Sequence, residues 1–294
     1  INLTLFFISY FILKNFLFKK FSNQHNYFFL NLILIFIYFS NYENYFYTRF
    51  ILSDCFFTFC ILLFFLKLNS GKRNNIDNFF IILIIMVTFF INPKIIIILL
   101  YFVFYYLIKV LIIKNQFMNV KNLSLLLIFA FLFGQLLWSI IYINYNFIDN
   151  LKGDIFLEIK KFYLEGVIIY KRTSTSYLLN EINTIKIFYL GVMRSISFFQ
   201  FWSFDWDLKH NLINTISILP LYLANILNIH KFKNYSKVNK KIIISIVAMT
   251  FAHIVLASIT AVDYDWRHRY PLYTLLIIGL IIFFKERKFK FFNF

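Results

Sequence analysis

Long apolar segments separated by short polar connectors run through the chain from one end to the other. The segments occupy positions 1–18, 27–41, 52–67, 78–92, 95–113, 124–147, 213–230, 242–262 and 271–285. Each is long enough to cross or nearly cross a bilayer as a helix. The alternation at period two that is typical of a half-buried strand does not occur in them. The pattern therefore predicts an all-α, polytopic bundle of about eight or nine transmembrane helices.

One further apolar segment, at 185–203, carries its polar residues on a single helical face. Lys186, Arg194, Ser197 and Gln200 share one side of a helix that turns by about 100° per residue. Such an amphipathic helix favours the membrane interface over a full crossing. We therefore expect three regions: N-terminal transmembrane helices at 1–147, an extracytoplasmic loop with an interfacial helix at 148–212, and C-terminal transmembrane helices at 213–294.

Composition agrees with a membrane protein. Of the 294 residues, 61% are hydrophobic, 23% are aromatic and 15% are charged, and the mean hydropathy is +0.73. A soluble domain carries more charge than this. Cys55 and Cys60 lie five positions apart in one apolar segment, and this spacing turns them away from each other on a helix. We expect both cysteines to pack in the core, and we expect neither a metal nor a cofactor.

The basic residues divide unequally between the two sides of the predicted membrane. The connectors 14–27, 67–77, 109–123 and 231–241, together with 285–294, hold 18 of the 30 basic residues and two acids. This division leaves +16 on that side and +1 on the other, out of the total of +17. By the positive-inside rule the basic side is cytoplasmic. The rule accounts for the basic excess without a nucleic-acid partner.

This assignment places four pieces outside the cytoplasm: 42–51, 92–94, 148–212 and 263–270. In the first of them Arg49 precedes Asp54, which opens an apolar segment. An acid at a helix N-terminus can act as a cap. A carboxylate at membrane depth otherwise needs a polar cavity or a partner, and Arg49 could be that partner.

Two short motifs on this predicted outer side resemble a known family. "ISYFILKNFLFKKF" and the following "YTRFILSDCFFTF" are similar to a helical region of family 39-type membrane glycosyltransferases with the C-type fold. Arg49, Ser53 and Asp54 match an Arg-x-x-x-Ser-Asp-like turn. "RHRYPLYT" resembles the family's later Arg-Tyr-x-x-Pro-x-x-Pro turn. There Arg267 and Pro271 match, while His268 and Thr274 replace a Tyr and a Pro.

The resemblance implies an enzyme that transfers a sugar from a polyprenyl-phosphate donor to a lipid, glycan or protein acceptor. It makes Asp54 the catalytic candidate and leaves Arg49, Asp263 and Asp265 as orienting groups. Its donor phosphate would be held by four basic residues, Arg267, Arg269, Lys94 and Arg194. Family members carry their main acid in a loop after their first helix. The chain enters the pattern after that point, so we expect it to lack that helix and loop.

Other readings of the same residues stay open. Arg267 and Arg269 can be ordinary interface anchors beside Trp266 and Tyr270. A transporter or flippase of lipid-linked sugars could bind the phosphate without chemistry, although Pro220 is the only proline that falls in mid-helix. A structural subunit is the third option. For the enzyme we expect integral insertion in the bacterial inner membrane, with the active face extracytoplasmic. We expect His253 to be a hydrogen-bonded residue in the bundle interior.

Overall fold

A computed structural model describes residues 2–21, 27–40, 53–69, 74–91, 96–113, 199, 201–202, 207–259 and 266–287. All regular structure in these ranges is helical, which confirms the all-α fold class. The α-helices are α1 (Asn2–Phe21), α2 (Tyr27–Ser40), α3 (Ser53–Leu68), α4 (Asn75–Ile91), α5 (Ile96–Ile113), α6 (Leu208–His230), α7 (Lys237–Ile259) and α8 (Trp266–Arg287). A 3-10 turn, Phe232–Asn234, joins α6 to α7.

The observed helices follow the predicted apolar segments closely, with two systematic differences. The last three helices each begin about five residues before the apolar run, because their polar first turns are also helical. The predicted helix at 185–203 does not reach its expected end, since Phe199, Phe201 and Trp202 are not helical. The predicted helix at 124–147 and most of the loop 148–212 lie outside the described residues.

Helix α8 is the centre of the bundle. It packs against α1, α3, α6 and α7, and every residue from 269 to 283 is buried. A helix that is apolar around its whole circumference must be covered on all sides. Its sequence from Leu272 to Phe284 contains Thr274 and Gly279 as breaks in an otherwise apolar and aromatic run, so this helix is suited to the middle position.

Helices α6 and α8 run parallel and are joined by two asparagines. Asn225 Nδ2 donates to Leu276 O over 3.0 Å, and Asn228 Nδ2 donates to Gly279 O over 2.8 Å. Gly279 allows this close approach, because a Cβ there would lie 1.9 Å from Asn225 Oδ1. Hydrogen bonds from side-chain amides to a neighbouring helix commonly stabilise the association of membrane helices. The pair fixes the register of α6 against α8.

A tyrosine from α8 bonds both of the helices beside it. The Tyr273 hydroxyl lies 3.1 Å from Ser217 O on α6 and 3.3 Å from Ile37 O on α2. Pro220 lies one turn further along α6 and cannot donate a backbone hydrogen bond. Neighbouring side chains commonly stabilise the helix backbone around such a proline in a membrane. Tyr273 bonds a carbonyl of this same turn of α6 and joins three helices at one level.

The bundle exposes large apolar side chains on its outside and buries several polar ones within its apolar core. Large apolar side chains cover the outward faces, including Phe28 (71% exposed), Phe79 (63%) and Leu99 (65%). Polar groups lie inside, with Asn214, Ser217, Asn228, Ser245 and His253 all fully buried. By length and composition, two described helices can cross a membrane, Asn211–His230 and Lys237–Leu256. These features are those of a membrane protein.

The direction of α5 departs from the charge-based topology. Tyr101 Oη lies 3.2 Å from Ser245 Oγ, and the rings of Phe104 and Phe251 lie 5.6 Å apart. The contacts advance along α5 and α7 together, so the two helices are parallel. The positive-inside assignment has them antiparallel, because it places the connectors 109–123 and 231–241 on one side. Contacts in the bundle interior thus oppose the charge count at this pair.

Candidate functional site

The candidate site lies at the end of the bundle where α8 begins. Residues 266–270, expected as part of a turn, form the first helical turns of α8. Arg269 is therefore inside the bundle and only 1% exposed. Its Nη1 lies 3.4 Å from the hydroxyl of Tyr222 on α6. Arg269 is covered by neighbouring helices because α8 starts five residues before the apolar run, so that this residue lies on a packed helix and not in a turn.

An apolar cavity of about 510 Å³ opens next to this arginine. Its walls are α6 and α7, its floor is Leu272 and Leu276 of α8, and Phe199 and Phe201 close one part of it. Tyr222 belongs both to the cavity wall and to the hydrogen bond with Arg269. The ring of Phe199 meets the ring of Tyr222 edge-on at 5.8 Å. Tyr222 therefore connects the apolar cavity to the buried guanidinium of Arg269.

A buried amide without a partner lies near the same end. The Asn214 side chain is 0% exposed, and neither its nitrogen nor its oxygen has a hydrogen-bond partner in the described structure. The contacts of Asn225 and Asn228 with α8 both join residues 51 positions apart. Asn214 lies in the second turn of α6, at the end of the bundle where the parallel helix α8 begins. A buried amide without a partner is costly and commonly serves a ligand or a water.

Of the predicted site residues, the structure describes the side chain of Arg269. Arg267 and Asp54 lie in the first turns of α8 and α3, but their side chains are outside the described part. The remaining predicted residues lie wholly outside the described ranges, namely Arg49, Lys94, Arg194, Asp263 and Asp265. The proposed pairing of Arg49 with Asp54 thus stays a prediction. Arg269 is the predicted phosphate ligand whose surroundings the structure gives.

Sequence reasoning missed Tyr222 and Asn214. Both lie in an apolar segment whose pattern predicts a spanning helix and nothing more. A signal was present in the spacing of Asn211, Asn214, Ser217 and Asn225, which share one helical face with little apolar interruption. A polar stripe of this kind on a membrane helix indicates the side that faces the bundle interior.

Two further expectations, for the cysteines and for His253, are confirmed by the structure. Cys55 and Cys60 are free and buried, as predicted for core packing. His253 is fully buried and its Nδ1 lies 2.7 Å from Met249 O, which confirms an interior hydrogen-bonded histidine. No cluster of metal-ligating side chains occurs among the described residues.

Comparisons with known proteins give no match, whether the chain is compared with protein-family models, curated proteins or solved structures.

Proposed function

We propose that the chain is part of a membrane glycosyltransferase that takes a sugar from a polyprenyl-phosphate donor. The acceptor would be a hydroxyl of a lipid, a glycan or a protein. The observation that carries the proposal is Arg269, a buried cation in contact with the wall of a long apolar cavity. A polyprenyl phosphate combines the same two properties, an anionic head on an extended hydrocarbon chain.

The exterior of the bundle supports insertion in a membrane. Only 33% of the α6 span is buried inside the structure, whereas the core helix of a soluble protein is covered on most sides. Exposed apolar patches of this extent mark contact with a membrane or a partner. Apolar side chains exposed on the outside and polar side chains kept in the interior are what a hydrocarbon solvent favours.

The position of Arg269 supports binding of a lipid phosphate. An ionisable residue inside a membrane bundle is expensive and usually functional. A guanidinium is suited to phosphate because it can donate two parallel hydrogen bonds. The cavity between α6 and α7 would take the first isoprene units, and Tyr222 would hold the guanidinium at its edge. The unpartnered Asn214 amide would bind a polar group of the same ligand.

The chemistry gives the arginine a role in the reaction. The acceptor oxygen forms a bond to the anomeric carbon while the bond from that carbon to the phosphate oxygen breaks. The acceptor proton passes to a carboxylate, for which Asp54 is the candidate, and the bonding electrons leave with the phosphate. The phosphate gains one negative charge in this step. A cation already placed beside it therefore stabilises the transition state more than the bound donor.

Substitution of Arg269 tests the proposal. The full chain in membrane vesicles would receive polyprenyl-phosphate hexose or pentose carrying a labelled sugar, and the release of polyprenyl phosphate would be measured. We expect Arg269→Lys to lower transfer by on the order of tenfold or more, because a charge-assisted hydrogen bond contributes about 1.5–3 kcal/mol. Arg287→Lys, at the opposite end of α8, is the matched control and should leave transfer unchanged.

The outcomes separate the enzyme from its main alternative. Equal transfer by Arg269→Lys and by the native chain, at equal membrane levels, would contradict the proposal. Binding of the labelled donor that depends on Arg269 but releases no sugar would instead favour a transporter or flippase. In that case the same site would hold the phosphate without any chemistry.

A further inference from the structure

The turn between α6 and α7 is a rigid platform. Phe232 and Tyr235 are buried, each 6% exposed. The Tyr235 hydroxyl donates to Asn228 Oδ1 over 2.8 Å, and the same asparagine is bonded to Gly279 of the central helix. The backbone is also closed, with bonds from Asn234 N to Lys231 O and from Tyr235 N to Phe232 O, each of 3.1 Å.

Lysines project from this platform without acidic neighbours. Residues 231–241 include five lysines, and no Asp or Glu occurs anywhere from 208 to 259. Lys241 is used internally, since its Nζ donates to Leu68 O at the end of α3. Lys240 lies over the Phe232 ring at 5.8 Å. The other three, Lys231, Lys233 and Lys237, are exposed and have no acidic partner among the described residues.

The neighbouring cation on α3 is neutralised. Lys67 pairs with Asp77 at the start of α4. The exposed lysines of the turn differ from Lys67 in having no acidic partner among the described residues. The two helices that flank the turn are the two that can cross a membrane by length and composition. The three exposed lysines thus lie where such helices leave the hydrocarbon, at the depth of lipid headgroups.

We propose that this turn, with Lys231, Lys233 and Lys237, is a binding site for the headgroup of an anionic phospholipid. Three ammonium groups held on a buried aromatic base match a phosphodiester at the membrane surface. In a basic cluster beside a membrane helix, each lysine raises the binding constant for anionic lipids by about fivefold. A fixed turn adds specificity, because the lysines need not be gathered from a flexible segment. The site is separate from the proposed glycosyltransferase function and does not rest on it.

Lipid retention tests the proposal directly. The full chain would be purified in mild detergent and incubated with equal amounts of phosphatidylglycerol and phosphatidylcholine. Bound lipids would then be counted by native mass spectrometry. We expect the native chain to retain phosphatidylglycerol selectively. The triple variant Lys231→Gln, Lys233→Gln, Lys237→Gln should lose at least tenfold of that selectivity, in keeping with about fivefold per lysine.

Two further variants keep the test decisive. The triple variant Lys14→Gln, Lys19→Gln, Lys109→Gln removes the same charge elsewhere and should keep the selectivity. Replacement of the three turn lysines by arginine should also keep it, and it serves as the check if the glutamine variant does not fold. Equal loss in both glutamine triples would overturn the proposal in favour of a diffuse charge effect. Displacement of the lipid by a short RNA, dependent on the same lysines, would overturn it in favour of nucleic acid.

Discussion

Asn214 of α6 is fully buried, and its side-chain amide has no hydrogen-bond partner in the described structure. Leaving such a group buried costs about 1–3 kcal/mol. The asparagine about four turns further along α6, Asn228, differs in this respect. Its nitrogen donates to Gly279 O, and its oxygen accepts from Tyr235. Two residues of one type on one face thus have opposite effects on stability.

Replacing each of these asparagines by leucine tests the difference. We expect Asn214→Leu to raise the free energy of unfolding by about 1 kcal/mol, because it removes an unsatisfied amide. Asn228→Leu should lower it by about 1–3 kcal/mol, because it leaves Tyr235 and Gly279 without their partner. Unfolding in a sodium dodecyl sulfate titration measures both. Similar destabilisation by the two variants would contradict the assignment of Asn214 as unpartnered.

The proposed ligand role of Asn214 predicts a second effect of the same substitution. Asn214→Leu should weaken the binding of polyprenyl phosphate even though it stabilises the fold. A gain in stability with a loss of binding is the usual signature of a polar group kept for function. Unchanged binding would remove Asn214 from the proposed site while leaving Arg269 within it.

At the residue scale, the sequence identifies Arg269 as a candidate but does not identify Tyr222 or Asn214. A charge at the edge of an apolar segment is visible in the sequence, and its cost in hydrocarbon makes it a candidate. Tyr222 and Asn214 acquire their roles only from the register of α6 against α8. That register depends on side-chain contacts between residues 51 positions apart, which a pattern along one helix cannot give.

At the scale of the helices, the candidate site depends on the contact between α6 and α8. The apolar runs predict both helices, and the charge count already places both starts on the outer side; the structure adds that their polar first turns are helical. The length of a run measures where a helix meets hydrocarbon, whereas the helix itself continues into polar sequence. Arg269 lies between the observed start of α8 at Trp266 and the predicted start at Pro271.

Gly279→Ala tests how closely α6 and α8 approach each other. The added Cβ would lie 1.9 Å from Asn225 Oδ1, so the Asn225 side chain or the helix must shift. We expect a loss of about 1–3 kcal/mol in unfolding free energy, typical of an overpacked interior. The double variant Asn225→Ala, Gly279→Ala removes the obstructing side chain and should be more stable than Gly279→Ala alone. If it is not, the close approach is made by other atoms than those of Asn225.

For the molecule as a whole, the sequence predicts the fold class. The charge count, however, makes α5 antiparallel to α7, whereas the packed contacts make the two helices parallel. The positive-inside rule weighs charges on connectors. The direction of α5 instead follows from its packed face, on which Tyr101 and Phe104 meet Ser245 and Phe251. Where connectors are short and basic residues abundant, interior packing is the more direct determinant.

Cysteine labelling distinguishes the two topologies. In a background with Cys55 and Cys60 replaced by alanine, single cysteines would be placed at position 236, before α7, and at position 109, near the end of α5. If both helices cross the membrane, their parallel packing predicts that a membrane-impermeant reagent reaches the two positions from opposite sides. Labelling of both from the same side would support the charge count and contradict the parallel arrangement.

The central position of α8 also has a consequence for biosynthesis. The ribosome completes α1 through α7 before it makes the helix that lies between them. Until that moment Asn225 and Asn228 have no backbone to bind, and the inner faces of α1, α3 and α6 have no covering surface. Before α8 is made, the earlier helices therefore lack the surface against which these faces and side chains pack. Synthesis of α8 is the step that completes the interior of the bundle.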